Sequence, residues 1–206
     1  ILLKSNKPSS AFLLLKELNA LVYFTPLDSL NNNDFSNVLD ALDTMARLKT
    51  KSKKTNMQLM LYVLCYKFTK KDRHIFISNL TNDKKTFNKI DILLDTLFCT
   101  VYTDSDIFRL ATKVNIEYFL LFSQAVHKEI DEDVFIKLKQ RAIDLKVLHQ
   151  KSKAYLQGKD ILALGLEPSK EFSILLNHAY EAQINLEINS KDEALQWLQK
   201  EVKGTL

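Results

Sequence analysis

The scarcity of glycine and proline is the feature that most limits how this chain can fold. Only three glycines and three prolines occur in 206 residues, and the first glycine is Gly158. β-Sandwiches, barrels and glycine-rich phosphate loops need turns with positive φ, which glycine supplies most readily. The composition therefore favours long helices joined by short polar connections. With 46% apolar residues, a chain of this length can bury a core without a disulfide or a metal.

The spacing of apolar residues supports the same conclusion. They recur three and four positions apart along most of the chain, between Ser, Thr, Asn and Asp residues that are typical helix N-caps. Residues 57–68 are apolar on almost every side, which predicts a central buried helix. We also predict a helix over 83–101, with Leu97 and Phe98 on its inner face. No two alternating runs are joined by a tight-turn dipeptide. The predicted fold class is all-α.

A change in composition near residue 150 suggests two parts. Gly158, Gly165 and Pro168 fall within eleven residues and punctuate a short predicted helix, which Gly165 can close with a left-handed cap. We therefore predict an elongated bundle of about seven or eight helices in residues 1–150, the body. A small tail of three helices is predicted to follow in residues 151–206.

The cysteines and the apolar runs bear on the location of the protein. Cys65 and Cys99 each lie in an apolar run, which predicts buried, reduced thiols and a cytoplasmic protein. No apolar run approaches the ~20 residues of a membrane span, so we expect no membrane partner. Because the chain begins with Ile1 rather than Met, we expect it to be part of a longer polypeptide.

Positive charge is concentrated in two places. Residues 1–90 carry a net charge of +8 and residues 91–206 a net charge of −4. The densest basic run is at 47–54, and a second group at 146–159 contains Lys146, Lys151, Lys153 and Lys159. Such clusters are expected of a protein that binds a phosphate backbone. Lysines between helices can equally be solvated linker residues.

The sequence contains no recognisable active site. None of the four histidines has another His or Cys at metal-ligand spacing. The Asp-x-Asp strings at 104–106 and 131–133 have the spacing of carboxylates that hold two metal ions. Both stand where a helix is predicted to begin, however, and acidic residues are favoured there by capping and by the helix dipole. We predict no catalytic residue, no metal ligand and no cofactor in this chain.

One string is specific enough to suggest a family. Residues 158–169 read Gly-Lys-Asp-Ile-Leu-Ala-Leu-Gly-Leu-Glu-Pro-Ser. They resemble the motif G-x-D-[LI]-x-x-x-G-[LI]-x-P-[GS] near the C-terminus of bacterial class II tRNA nucleotidyltransferases, the family of CCA-adding enzymes and poly(A) polymerases. The string Tyr180-Glu181-Ala182-Gln183 and the capped last helix also agree, and residues 1–26 resemble the segment between neck and body. Residues ~30–150 agree only in helical character.

The chain departs from the family pattern in several places. Ala154-Tyr155-Leu156 stands where the family often has Pro-Leu-Ile, and Ser169 stands where glycine is common. Residues 61–67 lack the His-Asp phosphohydrolase site that some members carry. The motifs of the catalytic head, a Gly-Ser pair followed by D-x-D and the string E-D-x-x-R, are absent.

The resemblance implies the body and tail of such an enzyme without its catalytic head. In the family, the head adds CCA or A to the 3′ end of tRNA from ATP and CTP with Mg²⁺, while the tail holds the tRNA elbow. The expected partners are therefore tRNA and the missing N-terminal catalytic domain of the same polypeptide. The candidate RNA-binding residues are Gly158, Lys159, Lys151, Lys153, Lys53 and Lys54.

Some residues of the motif are instead expected to shape the loop. These are Asp160, Gly165 and Pro168, and both glycines can equally serve the turns alone. Lys191, in the first turn of the last helix, belongs to no motif and is expected to be a neutral reference lysine. The alternative function is a helical scaffold that binds a partner protein, which predicts a large exposed apolar patch and weak salt dependence.

Overall fold

The computed structural model describes residues 2–48, 50–164 and 170–205. These residues form helices and loops with no β-strand among them, which confirms the all-α fold class. Gly165 and Pro168 lie outside the described residues. No helix in these ranges combines the length and the apolar character needed to cross a lipid bilayer. The α-helices are α1 (Pro8–Glu17), α2 (Asn32–Arg47), α3 (Lys53–Cys65), α4 (Lys70–Ser78), α5 (Lys84–Asp95), α6 (Asp104–Lys113), α7 (Ile116–Val126), α8 (Glu132–Asp144), α9 (Gly158–Leu162), α10 (Lys170–Ile184) and α11 (Lys191–Thr205).

Local capping sets the helix starts, including those of the two Asp-x-Asp strings. The side chains of Thr103 and Asp106 form a capping box at the start of α6, and Asp131 Oδ1 accepts a hydrogen bond from Asp133 N at the start of α8 (2.9 Å). Asp104 pairs with Arg141, whose Nε donates to Asp104 Oδ1 at 2.7 Å. These carboxylates are thus engaged in capping and ion pairing, as expected at helix N-termini.

Helices α1 to α8 enclose one hydrophobic cluster, the body core, whose buried residues run from Phe12 to Leu148. Helix α3 lies at its centre, since Leu59, Val63 and Cys65 have no exposed surface. This confirms the predicted buried helix. The most extensive packing joins α2 to α3, and α2 packs next most extensively against α1 and α7.

Helices α9 to α11 enclose a second, smaller cluster, the tail core. Its side chains come from the segment before α9, from the three helices and from the loop before α11. A hydrogen-bonded pair of side chains joins this part to the body: Arg109 of α6 and Glu181 of α10, at 3.0 Å. The buried residues of the tail core are Leu156, Ile161, Ala179, Ala182, Ile188, Ala194 and Leu198.

Helix α5 ends earlier than its sequence pattern predicts. It stops at Asp95, because Thr96 turns to an extended backbone and its hydroxyl donates to the carbonyl oxygen of Ile92 (2.6 Å). Leu97 is therefore 84% exposed, and the prediction that it faces inward is wrong. Cys99, predicted to be buried, is exposed for the same reason. Phe98 does face inward, where its ring lies 5.0 Å from that of Phe135.

Candidate nucleic-acid interface

Residues 152–155, here called the strap, are held along α10 by side-chain hydrogen bonds. The buried amide of Gln183 accepts from Tyr155 N (2.9 Å) and donates to the carbonyl oxygen of Lys153 (2.9 Å). The Tyr180 hydroxyl donates to the carbonyl oxygen of Ser152 (3.0 Å). These hydrogen bonds hold the strap against α10. Lys151 and Lys153 are exposed, and the Lys151 Nζ lies 5.5 Å from the centre of the Tyr180 ring.

The strap borders a groove of about 380 Å³ between the body and the tail. Lys146, Lys151 and Lys153 line it, and none of its described lining residues is acidic. Helices α8 and α10 both end at this groove with a non-glycine residue in the left-handed region, Lys146 (φ 59°) and Leu186 (φ 64°). Both ends form the same C-terminal hydrogen-bond pattern, which offsets the cost of a left-handed side-chain residue.

The contacts of Asp160 organise the loop at the start of α9. Its Oδ2 accepts a hydrogen bond from the backbone N–H of Gln157 (2.7 Å) and another from Lys191 Nζ. Burial alone would raise the pKa of Asp160, but the hydrogen bonds from Lys191 and Gln157 outweigh it and hold the pKa below its usual range. These contacts agree with a loop-shaping role for Asp160, which stays a prediction.

Lys191 is part of this loop, so the expectation that it is a neutral reference lysine is wrong. Its Nζ bonds Asp160 and also donates to the carbonyl oxygen of Tyr155 (2.7 Å). The sequence pattern missed the contact because thirty-one residues separate the two partners. Replacing Lys191 would therefore disturb the candidate loop itself.

The remaining residues of the loop point to solvent. Lys159 is exposed, and Gly158 is partly so. A Cβ atom added at Gly158 would meet nothing within 4 Å, and its φ lies outside the left-handed region. Neither packing nor backbone geometry within the described protein requires glycine at this position.

Lys53 and Lys54 lie in the first turn of α3, where the Ser52 hydroxyl caps the helix by accepting from Thr55 N. Both lysines are exposed. The Thr55 hydroxyl lies 3.2 Å from that of Tyr118, in the first turn of α7. This contact ties the basic start of α3 to α7.

The start of α7 also touches the segment that leads to the strap. The amide of Asn115 donates to the carbonyl oxygen of His149 (3.1 Å), and Glu117 N donates to that of Leu148 (3.2 Å). The Lys53–Lys54 and Lys151–Lys153 pairs are thus both connected to the first turn of α7. The loop at 158–160 is joined to the strap through Lys191, which bonds both the Tyr155 carbonyl oxygen and Asp160.

Among the described residues, no group of three or more His, Cys, Asp or Glu side chains could hold a metal ion. Comparison with protein-family models, with curated proteins and with solved structures gives no match to this chain.

Proposed function

We propose that the chain binds tRNA as the body and tail of a tRNA nucleotidyltransferase that adds CCA or A to tRNA 3′ ends. The observation that carries this proposal concerns the solvent exposure and the ion pairing of five candidate lysines. All five are exposed, and none forms an ion pair with a carboxylate among the described residues, whereas Lys67, Lys128 and Lys139 do. Ammonium groups without a carboxylate partner are available for phosphates. The candidate lysines are Lys53, Lys54, Lys151, Lys153 and Lys159.

The described residues do not fit the nucleotides or Mg²⁺ that the resemblance implies. They offer no cluster of carboxylates for the metal, so we assign ATP, CTP and Mg²⁺ to the head. The part of this chain would be to position tRNA. Packed helices fix the distance between the residues that hold the elbow and the end of the RNA that reacts, and such fixed positioning accelerates a reaction.

The salt dependence of tRNA binding tests the proposal. Each phosphate that a lysine neutralises adds about −0.7 to −0.9 to the slope of log affinity against log salt. We expect a slope that corresponds to several phosphates, measured by filter binding of labelled tRNA to the full chain. A flat response would contradict the proposal and favour a protein-binding scaffold.

Lys159→Ala tests the tail loop within this proposal. It should weaken binding of all tRNAs to a similar extent and reduce the salt slope by about one phosphate. The matched control is Lys200→Ala, because Lys200 is an exposed lysine of α11 in the same tail. Equal affinities of these two variants would leave the loop without a role in binding RNA.

Gly158→Ala separates backbone approach from folding. Since a Cβ at this position meets no protein atom within 4 Å, the melting temperature should not fall. If the Gly158 backbone lies against RNA, the added methyl group should still lower the affinity for tRNA. An unchanged affinity would limit the role of Gly158 to the turn.

The scaffold alternative is supported by one observation, an exposed apolar surface near the N-terminus. Helix α1 ends at Glu17, and Leu14, Leu18, Val22 and Tyr23 are more than half exposed. Clustered apolar exposure of this kind marks many protein-binding surfaces. A Leu14→Gln, Leu18→Gln double variant should keep the tRNA affinity of the wild type under the main proposal. A loss of tRNA binding at unchanged melting temperature would contradict the assignment of RNA to the lysines.

A further inference from the structure

A second pocket, of about 320 Å³, lies in the body between α3, α5 and the start of α7. We call it the tyrosine pocket. Its volume lies at the lower end of the range for small-molecule sites. Ile92, Leu93 and Val114 form the apolar part of its wall. The polar part contains no acidic residue and no histidine among the described lining residues: Gln58, Tyr62, Lys89, Lys113, Asn115 and Tyr118.

Tyr62 is the unusual group in this wall. Its side chain is only 5% exposed, yet its hydroxyl has no hydrogen-bond partner among the described residues, whereas the neighbouring Tyr118 hydroxyl is engaged with Thr55. Burial, together with the nearby Tyr118, raises the pKa of Tyr62 to about 12. The phenol therefore stays protonated at neutral pH and can donate a hydrogen bond. Among the described residues, the fully buried side-chain atoms without a partner are Arg73 Nε, Asp91 Oδ1 and Ser123 Oγ. The Tyr62 hydroxyl is not one of them, so it keeps some accessible surface and can donate to a group in the pocket.

Two lysines add positive charge to the wall of the same pocket. Lys89 comes from α5 and Lys113 from the last turn of α6, and neither has an ion-pair partner among the described residues. Gln58 lies one helical turn before Tyr62 on α3, so its amide faces the same pocket. The Asn115 side chain already bonds His149 and Tyr118 through its two polar atoms.

We propose that the tyrosine pocket binds a phosphate group. A phosphate offers several strong acceptor oxygens and one negative charge in a diester or up to two in a monoester, which suits two unpaired ammonium groups and neutral donors in one wall. The apolar residues of the wall would contact the carbon skeleton of an organic phosphate. The group could belong to a small phosphate ester or to an RNA backbone, and the inference holds whether or not the proposed function is correct.

The test is a titration of the full chain with inorganic phosphate, with chloride adjusted to keep the ionic strength constant. We expect saturable binding in isothermal titration calorimetry and a saturable rise in melting temperature. Lys113→Met should weaken phosphate binding by about tenfold, since a charge-assisted hydrogen bond is lost. The matched control is Lys71→Met, on the exposed surface of α4 away from the pocket. No saturation, or equal affinity in the Lys113→Met and Lys71→Met variants, would overturn the proposal.

Tyr62→Phe removes the unpartnered hydroxyl and nothing that the fold uses. Without phosphate, its melting temperature should equal or exceed that of the wild type, because no hydrogen bond within the described protein is lost. With phosphate, its affinity should fall by several-fold. An unchanged affinity for phosphate would show that Tyr62 does not contact the phosphate, and it would overturn the proposed site.

Competition distinguishes the two sources of phosphate. If the pocket holds an RNA phosphate, inorganic phosphate should compete with tRNA, and Lys113→Met should lower the affinity for tRNA. If it holds a small phosphate ester, adenosine monophosphate should bind more tightly than inorganic phosphate, and tRNA affinity should not change. Saturable phosphate binding with no effect on tRNA would therefore support the pocket while leaving the proposed function to its own tests.

Discussion

The body core and the tail core are both built from helices, but different interactions hold them together. The body core buries large side chains completely, such as Phe12, Leu42 and Phe119. The tail core also buries Ile161 and Leu198 completely, but it is smaller, three of its seven described buried residues are alanines, and hydrogen bonds from Gln183 and Lys191 fix the connecting segments. The comparison teaches that the lysine-bearing strap and loop are shaped mainly by polar contacts. They can therefore be perturbed without loss of the body.

The largest effects are expected from replacing one buried side chain in each core. Phe119→Ala should cost about 3–5 kcal/mol of unfolding free energy, and Leu198→Ala about 2–5 kcal/mol, because neither side chain has exposed surface. The single tryptophan, Trp197, packs against the tail core, so its fluorescence in urea follows the tail. Far-UV circular dichroism follows mainly the larger body.

These two probes can break the comparison. If the cores unfold separately, Leu198→Ala should lower the fluorescence midpoint more than the dichroism midpoint, and Phe119→Ala should do the reverse. Coincident midpoints in both variants would mean that body and tail form one cooperative unit. The distinction between two kinds of core would then have no energetic meaning.

Replacement of Gln183, whose side chain holds the strap, should have the next largest effect on the unfolding free energy. Gln183→Ala leaves the Tyr155 amide and the Lys153 carbonyl without their partner, which should cost about 1–3 kcal/mol. The loss should appear in the Trp197 fluorescence midpoint. Gln140→Ala is the matched control, because Gln140 is exposed on α8 and its side chain bonds Asp144 of the next helical turn. Equal costs in the two variants would argue against a polar origin of tail stability.

Features that depend on neighbouring residues could be predicted from the sequence, whereas features that depend on distant residues could not. The caps at Asn31 and Asp131 depend on residues two or three positions away, so their side-chain pattern is visible in the sequence. The early end of α5 is not visible, because an apolar pattern continues past Thr96 to Leu97 and Phe98 while the backbone turns.

The candidate site was harder to predict than the fold. Its lysines could be found from charge, but their support comes from partners far away in sequence. Gln183 holds the strap across about thirty residues, and Arg109 reaches Glu181 across seventy-two. No periodicity encodes such pairs, since each depends on how the helices pack. The free hydroxyl of Tyr62 is likewise a property of packing alone.

A pH titration can measure how much the ionised Asp160 contributes to the stability of the tail. The pKa of Asp160 is lowered in the folded protein, so its ionised form stabilises the tail. That contribution is complete above the ordinary aspartate pKa of about 3.9 and is lost as pH falls through the lower folded value. The Trp197 midpoint of the wild type should therefore exceed that of Asp160→Asn by a constant amount above about pH 5 and approach it in acid.

Lys191→Met is the companion variant for this titration. Without the Lys191 ammonium, burial favours the protonated acid. The folded pKa of Asp160 then approaches or exceeds its unfolded value, so the acid-dependent loss of tail stability should be smaller than in the wild type. A loss as large as in the wild type would show that Gln157 and Lys159 account for the lowered pKa by themselves.

The smallest stability change is expected at the link between the two cores. Arg109 and Glu181 are both about half exposed, and an exposed ion pair contributes about 0.2–1 kcal/mol. Arg109→Gln should therefore shift neither unfolding midpoint by much.

The variant can still lower the affinity for tRNA, either because α10 moves relative to α6 or because a cation is lost. Glu181→Gln separates these causes, since it breaks the same ion pair and keeps the arginine. Weaker tRNA binding in both variants would indicate a positioning role for the link. Weaker binding in Arg109→Gln alone would indicate that Arg109 itself contacts RNA.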